Sequence, residues 1–382
     1  MSAPFSKGRY LRELPEYPFA RLDAKRRELE TKGVRVVDLG IGDPVEPTPL
    51  FIQEALAQAL PRSSGYPRVP GIPELRQAAA GWMKRRFGVE LDPETEILPI
   101  NGSKEAIHSL PLALLGTTRP LALLPVPAYP VYALGVSAAG GEVIRLPLTL
   151  ERSYLPDLDT VPDETWSQAA MLWINYPHNP TGATAPREFL TKAAARCRGN
   201  GVLLASDEAY ADIYFGDPPV SALEAGTENV LVFHTLSKRS AMAGYRTGFM
   251  AGDARIIALL ARMRPGLGVA TPRFVQEAAV AAWKDDAHVV DQRATYRERR
   301  DRAVVALVKA GFDVTAPQAG LFIWMRVPTG FTSESFALRC LEQGVVLLPG
   351  SALDPSGEGY VRISLTAPTQ VLEEALSKLA KL

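Results

Sequence analysis

The chain has 382 residues, of which 47% are apolar and 22% are charged, a composition typical of globular proteins and not of disordered or fibrous ones. Basic and acidic residues both number 42, so the net charge gives no indication of a nucleic-acid or anionic-membrane partner. Single hydrophobic cores stop growing near about 250 to 300 residues, so this length predicts a large and a smaller domain.

The N-terminal segment and the cysteines narrow the cellular setting. The first nineteen residues, MSAPFSKGRYLRELPEYPF, are polar and interrupted by prolines, which is typical of neither a secretory signal nor a membrane span. Cys197 and Cys340 form no CxxC motif and lie near no histidine pair in the sequence, so we expect neither a metal site nor a disulfide framework. These features favour a cytoplasmic protein that does not bind membranes.

Short apolar runs alternate with amphipathic helical patterns along the first two thirds of the chain, which predicts an α/β domain with a mainly parallel sheet. The predicted strands are Glu96 to Ile100, Leu121 to Pro125, Glu142 to Leu146, Ala170 to Asn175, Val202 to Ser206, Val230 to His234 and Gly248 to Gly252. The predicted helices are Leu50 to Leu60, Glu74 to Phe87, Lys104 to Leu115, Pro186 to Asn200 and Asp253 to Arg264.

The pattern changes near Thr271, where a long charged helical region begins that runs to Lys309. The runs Gly320 to Val327 and Tyr360 to Leu365 follow it, and together they predict a second lobe of the α+β type. The N-terminal run Val34 to Gly40 reads as a strand of the same lobe, which makes that lobe discontinuous. The predicted domains are residues 46–270 for the large one, and residues 1–45 with 271–382 for the small one.

Three of the predicted strands are followed by residues that carry chemistry. Asn179, Asp207 and Lys238 come after consecutive apolar runs, and ligands of an open parallel sheet collect beyond the carboxyl ends of its strands. Taken singly, Asn179 indicates a turn, Asp207 a helix cap and Lys238 a surface charge. Together, an amide, a carboxylate and an amine are what a pyridine cofactor bearing an aldehyde requires.

A fourth strand end predicts a phosphate seat. Gly102 and Ser103 follow the run that ends at Ile100, and a helical pattern begins at Lys104. Glycine permits close backbone approach, and the amides at a helix start favour an anion, although the same letters are also a common helix cap. Arg246 supplies a side chain that can bind phosphate with two parallel hydrogen bonds.

These segments together resemble one known family, the pyridoxal-phosphate-dependent aminotransferases of fold type I, class I/II. The resemblance covers nearly the whole chain and rests on motifs in the family's order and at roughly its spacing: GIGDP, GYPRVPGIPELR, NGSKEAI, PVPAYPVY, NYPHNPTG, SDEAY, HTLSKRSAMAGYRTGF and YVRIS. It implies a large domain with a seven-stranded, mainly parallel sheet, a smaller discontinuous α+β domain, and pyridoxal 5'-phosphate as cofactor.

The resemblance implies a role for each motif. Lys238 resembles the lysine that binds the cofactor covalently and then moves protons at the substrate, and Asp207 resembles the partner of the pyridine nitrogen. Asn179 and Tyr210 match the hydrogen-bonding partners of the phenolic oxygen, and Tyr129 matches the aromatic residue that stacks on the ring. An ordinary core tyrosine remains the alternative for Tyr129.

The remaining implied roles concern the phosphate and the substrate. The implied phosphate shell is Gly102, Ser103, Lys104, Thr235, Ser237 and Arg246. Arg362 matches the arginine that binds the substrate's α-carboxylate, with a rim salt bridge as the alternative, and Gly42 matches a residue that lies along the substrate. Tyr66 resembles the tyrosine that reaches the phosphate of the neighbouring subunit, which implies a homodimer with the active site at the subunit interface.

The implied activity is transfer of an amino group from a donor, with L-glutamate expected, to a 2-oxo acid. Within the family, FHTLSKRS, YRTGFMAGD, VQEAAVAAWKDDAHV and LLPGSAL most resemble N-succinyldiaminopimelate aminotransferases of bacterial lysine biosynthesis. The alternatives are an LL-diaminopimelate or a broad-specificity amino acid aminotransferase, and a lyase of the same fold that uses the same cofactor. A non-catalytic regulator or binding module that keeps the fold is the distant alternative.

Overall fold

The computed structural model describes residues 20–382, so the N-terminal segment interpreted above lies outside the described part. Its strands are β1 Val37–Asp38, β2 Ile97–Ile100, β3 Leu121–Val126, β4 Glu142–Pro147, β5 Ala169–Asn175, β6 Leu203–Asp207, β7 Val230–Thr235, β8 Gly248–Gly252, β9 Phe322–Arg326, β10 Val345–Val346, β11 Leu348–Pro349 and β12 Tyr360–Ser364.

The helices surround these strands. They are α1 Ala20–Thr31, α2 Leu50–Gln58, α3 Pro73–Phe87, α4 Ser103–Leu114, α5 Val131–Ala138, α6 Asp163–Gln168, α7 Arg187–Gly199, α8 Leu236–Arg239, α9 Ala254–Met263, α10 Arg273–Lys284, α11 Ala287–Lys309, α12 Ser333–Glu342 and α13 Thr369–Leu379.

The largest sheet has seven strands in the order β2-β8-β7-β6-β5-β3-β4. The neighbours from β4 to β7 run parallel, and β8 is antiparallel to both of its neighbours. Every residue of β3, β5, β6 and β7 is buried, since helices cover both faces of the sheet. Strands buried on both faces need continuous apolar runs, which is why the sequence predicted these strands to within a residue or two.

Two apolar cores flank this sheet. One contains Trp82 of α3 and Trp283 of α10, whose ring centroids lie 4.7 Å apart. The other contains Ile107 of α4, Tyr132 of α5 and Leu260 of α9. Both faces of the sheet are therefore covered by packed helices, and the carboxyl ends of its parallel strands lie at one edge.

A second group of strands lies beyond that edge. Strands β11, β12 and β9 form an antiparallel sheet, and β1 pairs in parallel with β10. A separate core packs beneath them, with Tyr296 and Leu307 of α11 and Leu376 of α13 among its buried residues. The N-terminal strand β1 thus pairs with a segment more than 300 residues further along the chain, Val345–Val346.

The α/β class with a mainly parallel seven-stranded sheet and a smaller α+β part is confirmed, whereas the exact domain boundaries stay a prediction. Two details of the prediction were wrong. The strand expected over residues 34–40 has only two residues, because only Val37 and Asp38 find a strand partner. The long helical region is two helices, α10 and α11, separated at Asp285, whose backbone is extended. Among the described residues, no helix is long and apolar enough to cross a membrane.

Candidate active site

A cavity of about 1800 Å³ opens where the carboxyl ends of β5, β6 and β7 face the second group of strands. It is lined by all but two of the residues that the sequence singled out. These lining residues are Gly42, Ser103, Lys104, Tyr129, Asn179, Asp207, Tyr210, Thr235, Ser237, Lys238, Arg246 and Arg362. The exceptions are Gly102, which adjoins the lining through Ser103, and Tyr66.

Asp207, the last residue of β6, is a buried carboxylate with partners on both oxygens. Tyr132 donates its hydroxyl to Oδ2 at 2.7 Å, and the backbone amide of Ala209 donates to Oδ1 at 3.1 Å. Burial raises the pKa of Asp207 to about 6, although both hydrogen bonds oppose that rise. The side chain is therefore fixed in orientation and still ionised over most of the neutral range.

Lys238 lies in the short helix α8, directly after β7. Its Nζ donates to the backbone oxygen of Gly42 at 2.6 Å, and Gln292 of α11 donates to its backbone oxygen at 2.7 Å. Burial lowers the pKa of Lys238 to about 8, and the carboxylate of Asp43 opposes that change. A substantial fraction of the amine is therefore neutral and nucleophilic at mildly alkaline pH.

Arg362, on β12, faces the sheet edge from the opposite side. Its Nη1 donates to Oδ1 of Asn179 at 2.9 Å, and its Nη2 donates to the backbone oxygen of Gly40 at 2.7 Å. The guanidinium lies 4.0 Å from the centre of the Phe322 ring, and its buried Nε has no hydrogen-bond partner among the described residues. Burial lowers the pKa of Arg362 to about 10, so the group remains charged at neutral pH. This side chain is suited to bind an anion.

The predicted phosphate seat is built around Gly102, whose φ is +76°. A methyl group at this position would stand 2.6 Å from Nη2 of Arg246, and other residues rarely adopt this φ, so glycine favours a turn that is open beside that arginine. Thr235 caps α8 by accepting from the amide of Ser237 at 3.2 Å, and its hydroxyl contacts that of Ser237 at 2.9 Å. Hydroxyls, a helix start and an arginine thus adjoin one corner of the cavity.

The three predicted tyrosines differ in position. Tyr210 is buried with its ring 5.9 Å from that of Phe322, and burial raises the pKa of its hydroxyl. Tyr129 is half-buried on the cavity wall, with its ring 6.0 Å from that of Tyr132. Tyr66 is fully exposed and lies outside the cavity lining of its own chain.

Sequence reasoning missed several residues of this site. Tyr132 stands in the PVPAYPVY motif three residues after Tyr129, and that spacing was the available signal. Asn175, at the end of β5, holds the turn, because its side chain accepts from the amide of Asn179 and donates to the backbone oxygen of Asp207. Phe322, under the guanidinium of Arg362, gave no sequence signal, because the two are brought together only by the pairing of β9 with β12.

Comparisons with known proteins agree with this geometry. Residues 34–379 match the model of the family described as aminotransferase class I and II. LL-diaminopimelate aminotransferases from Nitratidesulfovibrio vulgaris Miyazaki F and Dehalococcoides mccartyi strain 195 are each 44% identical to the chain, with coverage of 100% of both chains and 97% of both chains, respectively. A solved structure from Thermus thermophilus, described as a probable N-succinyldiaminopimelate aminotransferase, is 34% identical, with a TM-score of 0.89 over 95% of this chain and 99% of that one.

The chain therefore belongs to the class I and II aminotransferases, enzymes that act on amino acids and 2-oxo acids. It is a transaminase that depends on pyridoxal 5'-phosphate. The residues present fit that group. The buried carboxylate of Asp207 and the amine of Lys238, whose pKa is lowered, line the same cavity, and the turn at Gly102 is open beside Arg246.

Proposed function

We propose that the enzyme transfers an amino group between L-glutamate and a 2-oxo acid of the diaminopimelate branch of lysine biosynthesis, with LL-diaminopimelate as the amino acid made or consumed. The observation that carries the reaction type is the cavity in which Lys238 and Asp207 face Arg362. The diaminopimelate assignment is supported by two relatives of this name that are each 44% identical to the chain and match 100% and 97% of it.

In this proposal the residues that line the cavity have distinct tasks. Lys238 would hold the cofactor covalently, and once the substrate's amine has displaced it, its free Nζ would take the proton from the substrate's Cα, a step that its lowered pKa favours. Asp207 would bind the protonated pyridine nitrogen, and Asn179 and Tyr210 would orient the ring's oxygen. Bound pyridoxal phosphate supplies an electron sink for the charge left at Cα. Arg362 binds the α-carboxylate and so fixes which bond at Cα faces Lys238.

The other residues singled out would hold the cofactor in place. In the proposal, Tyr129 would stack on the pyridine ring and Gly42 would lie along the substrate. The phosphate would be bound by Gly102, Ser103, Lys104, Thr235, Ser237 and Arg246. The backbone amides at the start of α4 and the guanidinium of Arg246 supply the positive potential that a phosphate needs.

N-succinyl-LL-diaminopimelate is the second candidate for the long substrate, and it is the one that the sequence motifs favoured. The Thermus thermophilus structure described above supports it, at 34% identity and nearly full coverage. Both candidates carry an α-amino acid at one end, so Arg362 would bind either of them in the same way. They differ only at the distal end.

The test is an amine-transfer assay with the purified holoenzyme. LL-diaminopimelate and N-succinyl-LL-diaminopimelate are each offered as donor with 2-oxoglutarate as acceptor, and the glutamate formed is measured. We expect LL-diaminopimelate to give the higher kcat/KM. A higher value for the succinylated compound would reverse the order of the two candidates. Release of ammonia without glutamate formation would overturn transamination in favour of a lyase.

We further propose that the enzyme is a homodimer in which Tyr66 contributes to the site of the other subunit. Its full exposure and its place outside the cavity of its own chain support this proposal. Subunits of Lys238→Ala and Tyr66→Ala are mixed, unfolded and refolded together. A hybrid with crossing tyrosines has one intact site and regains activity, whereas a protein in which Tyr66 serves its own site gains none.

A further inference from the structure

We propose that Arg145, held in place by Asp354, binds the distal carboxylate of a dicarboxylic amino acid or 2-oxo acid in the cavity. The inference rests on the proposed function and deepens it, because it assigns the end of the substrate that lies away from Cα. It concerns neither Arg362 nor the residues around the cofactor. Both members of the pair line the same cavity as Lys238.

The position of Arg145 follows from strand geometry. It lies on β4, the edge strand of the seven-stranded sheet, and Val143 lines the cavity two residues earlier. Side chains two residues apart on a strand point to the same face, so both are directed toward the opening. An edge strand leaves room for a long side chain that a central strand, covered on both faces, would not accommodate.

Asp354 fixes one end of the guanidinium. Its Oδ2 accepts from Nε of Arg145 at 3.0 Å, and its Oδ1 accepts from the backbone amide of Ser356 at 3.0 Å. The carboxylate is only 10% exposed, so it is held by the turn that it caps. Because both oxygens are engaged, Asp354 acts as a fixed anchor for Arg145.

The other end of the guanidinium is open. The side chain of Arg145 is 55% exposed, and within residues 20–382 no group accepts a hydrogen bond from its two terminal nitrogens. A guanidinium anchored through Nε presents these two nitrogens side by side, which is the arrangement that binds a carboxylate with two parallel hydrogen bonds. The anchored pair is therefore a carboxylate site with its geometry already set.

The other arginines that line the cavity already have partners or proposed roles. Arg26 donates to both Glu30 and Asp38, so its charge is compensated by two carboxylates. Arg362 is bound to Asn179 and is assigned to the α-carboxylate. Arg246 lies against the turn at Gly102, where the phosphate is expected. Of these four arginines, Arg145 is the one that can take a second carboxylate.

The separation suits a long substrate. Strand β3 lies between β4 and β5, so β4 is two strand spacings, roughly 10 Å, from the strand whose following loop carries Asn179. Arg362 contacts that loop. A ligand bound to both arginines therefore needs two carboxylates several carbons apart, as in the seven-carbon backbone of diaminopimelate.

The test uses binding and not turnover. Pimelate and heptanoate share seven carbons and differ in one carboxylate, and neither can donate an amine. Each is titrated into the holoenzyme while the absorption of the bound cofactor is followed. We expect pimelate to bind roughly 10- to 100-fold more tightly than heptanoate, the range for a charge-assisted pair of hydrogen bonds.

Three variants decide the assignment. Arg145→Met should abolish the preference for pimelate without changing heptanoate binding, and Arg145→Lys should retain part of the preference. Arg152→Met is the matched control, because Arg152 is 54% exposed, pairs with Asp157 at 2.9 Å and lies outside the cavity lining. It should bind both ligands as the unmodified enzyme does.

The outcomes separate this inference from the proposed function. Equal binding of the two ligands by the unmodified enzyme, a preference that persists in Arg145→Met, or equal weakening of both ligands would each overturn the role of Arg145. If the preference depends on Arg145 but neither diaminopimelate compound donates an amine, the carboxylate site stands and the substrate assignment fails.

Discussion

The two walls of the cavity differ in how their buried charged groups are hydrogen-bonded. On the wall formed by the seven-stranded sheet, Asp207 is buried and both of its oxygens accept hydrogen bonds from the protein. On the wall formed by the antiparallel sheet, Arg362 is equally buried, but its Nε has no partner among the described residues and its face rests on Phe322. Both oxygens of Asp207 thus have hydrogen-bond donors, whereas Arg362 has one nitrogen without an acceptor in the described part of the chain.

This contrast indicates what each wall binds. A buried polar group without a partner costs free energy, so it is retained where a ligand supplies the partner. Under the proposed function, the substrate's α-carboxylate would supply the missing partner of Arg362, and Asp207 would bind the cofactor in one fixed orientation. We infer that changes at Asp207 and at Tyr132, which donates to it, act on the cofactor, and that changes at Arg362 act on the substrate.

Replacing Lys238 should have the largest effect, because this residue is the only amine proposed to act in both binding and proton transfer. We expect Lys238→Ala to lower kcat by on the order of 10⁴-fold while pyridoxal phosphate still binds through the phosphate seat. Turnover is measured with glutamate and 2-oxo acid, and cofactor binding by dialysis and absorption. A variant with undiminished turnover would overturn the assignment of Lys238.

Arg362→Lys tests the substrate wall. Lysine keeps the charge but cannot make two parallel hydrogen bonds, so we expect KM for the amino acid to rise roughly 10- to 100-fold. Cofactor affinity, measured by titration of the apoprotein, should stay unchanged. A matching loss of cofactor affinity would show that the two walls are not separable in the way inferred above.

The sequence predicted one wall of this cavity better than the other. On the sheet wall, Asn179, Asp207 and Lys238 each follow a continuous apolar run, and the rule that ligands collect at strand ends is enough to bring them together. The opposite wall depends on contacts between distant segments, such as Arg362 with Gly40, which are 322 residues apart. No local pattern encodes such a contact.

The same distinction between local patterns and contacts of distant segments explains the errors in the predicted fold. The seven strands of the large sheet were predicted because burial on both faces imposes an apolar run on the sequence itself. The strand β1 has only two residues because its length is set by its partner β10, which no pattern in residues 34–40 reveals. The break between α10 and α11 was missed because charged residues continue across Asp285, whose carboxylate accepts from the amide of His288 in the first turn of the second helix.

Tyr132→Phe tests the sheet wall at a residue that the sequence did not predict. The change removes the hydroxyl that donates to Asp207, and that hydrogen bond lowers the pKa of Asp207. The pKa of Asp207 should therefore rise in the variant, and the ionised carboxylate should be lost at a higher pH as the solution is acidified. We expect cofactor affinity at neutral pH to fall about tenfold, with the loss growing below pH 7.

The measurement is a titration of the apoprotein with pyridoxal phosphate at several pH values. Tyr154→Phe is the control, because the Tyr154 hydroxyl lies outside the cavity lining and makes no contact with Asp207. KM for the amino acid, measured with saturating cofactor, should be unchanged in both variants. Equal cofactor affinity of Tyr132→Phe and the unmodified protein at every pH would show that the hydroxyl does not maintain the charge of Asp207.

Asp43→Asn should have the smallest effect, and it tests how this carboxylate influences the amine of Lys238. Burial lowers the pKa of Lys238 to about 8, and the negative charge of Asp43 counteracts part of that shift. Without this charge the pKa falls further, so more of the amine is neutral at pH 7. Covalent uptake of pyridoxal phosphate by the apoprotein should therefore quicken about two- to threefold at pH 7, the effect of one exposed charge.

The same argument fixes the shape of the pH dependence. Uptake requires the neutral amine, so its rate rises with pH and levels off above the pKa of Lys238, near 8 in the unmodified protein. In Asp43→Asn the whole curve moves to lower pH and the plateau rate stays the same. Asp217→Asn, at an exposed residue outside the cavity lining, should leave the curve in place. A shift toward higher pH in Asp43→Asn would contradict the electrostatic coupling between Asp43 and Lys238.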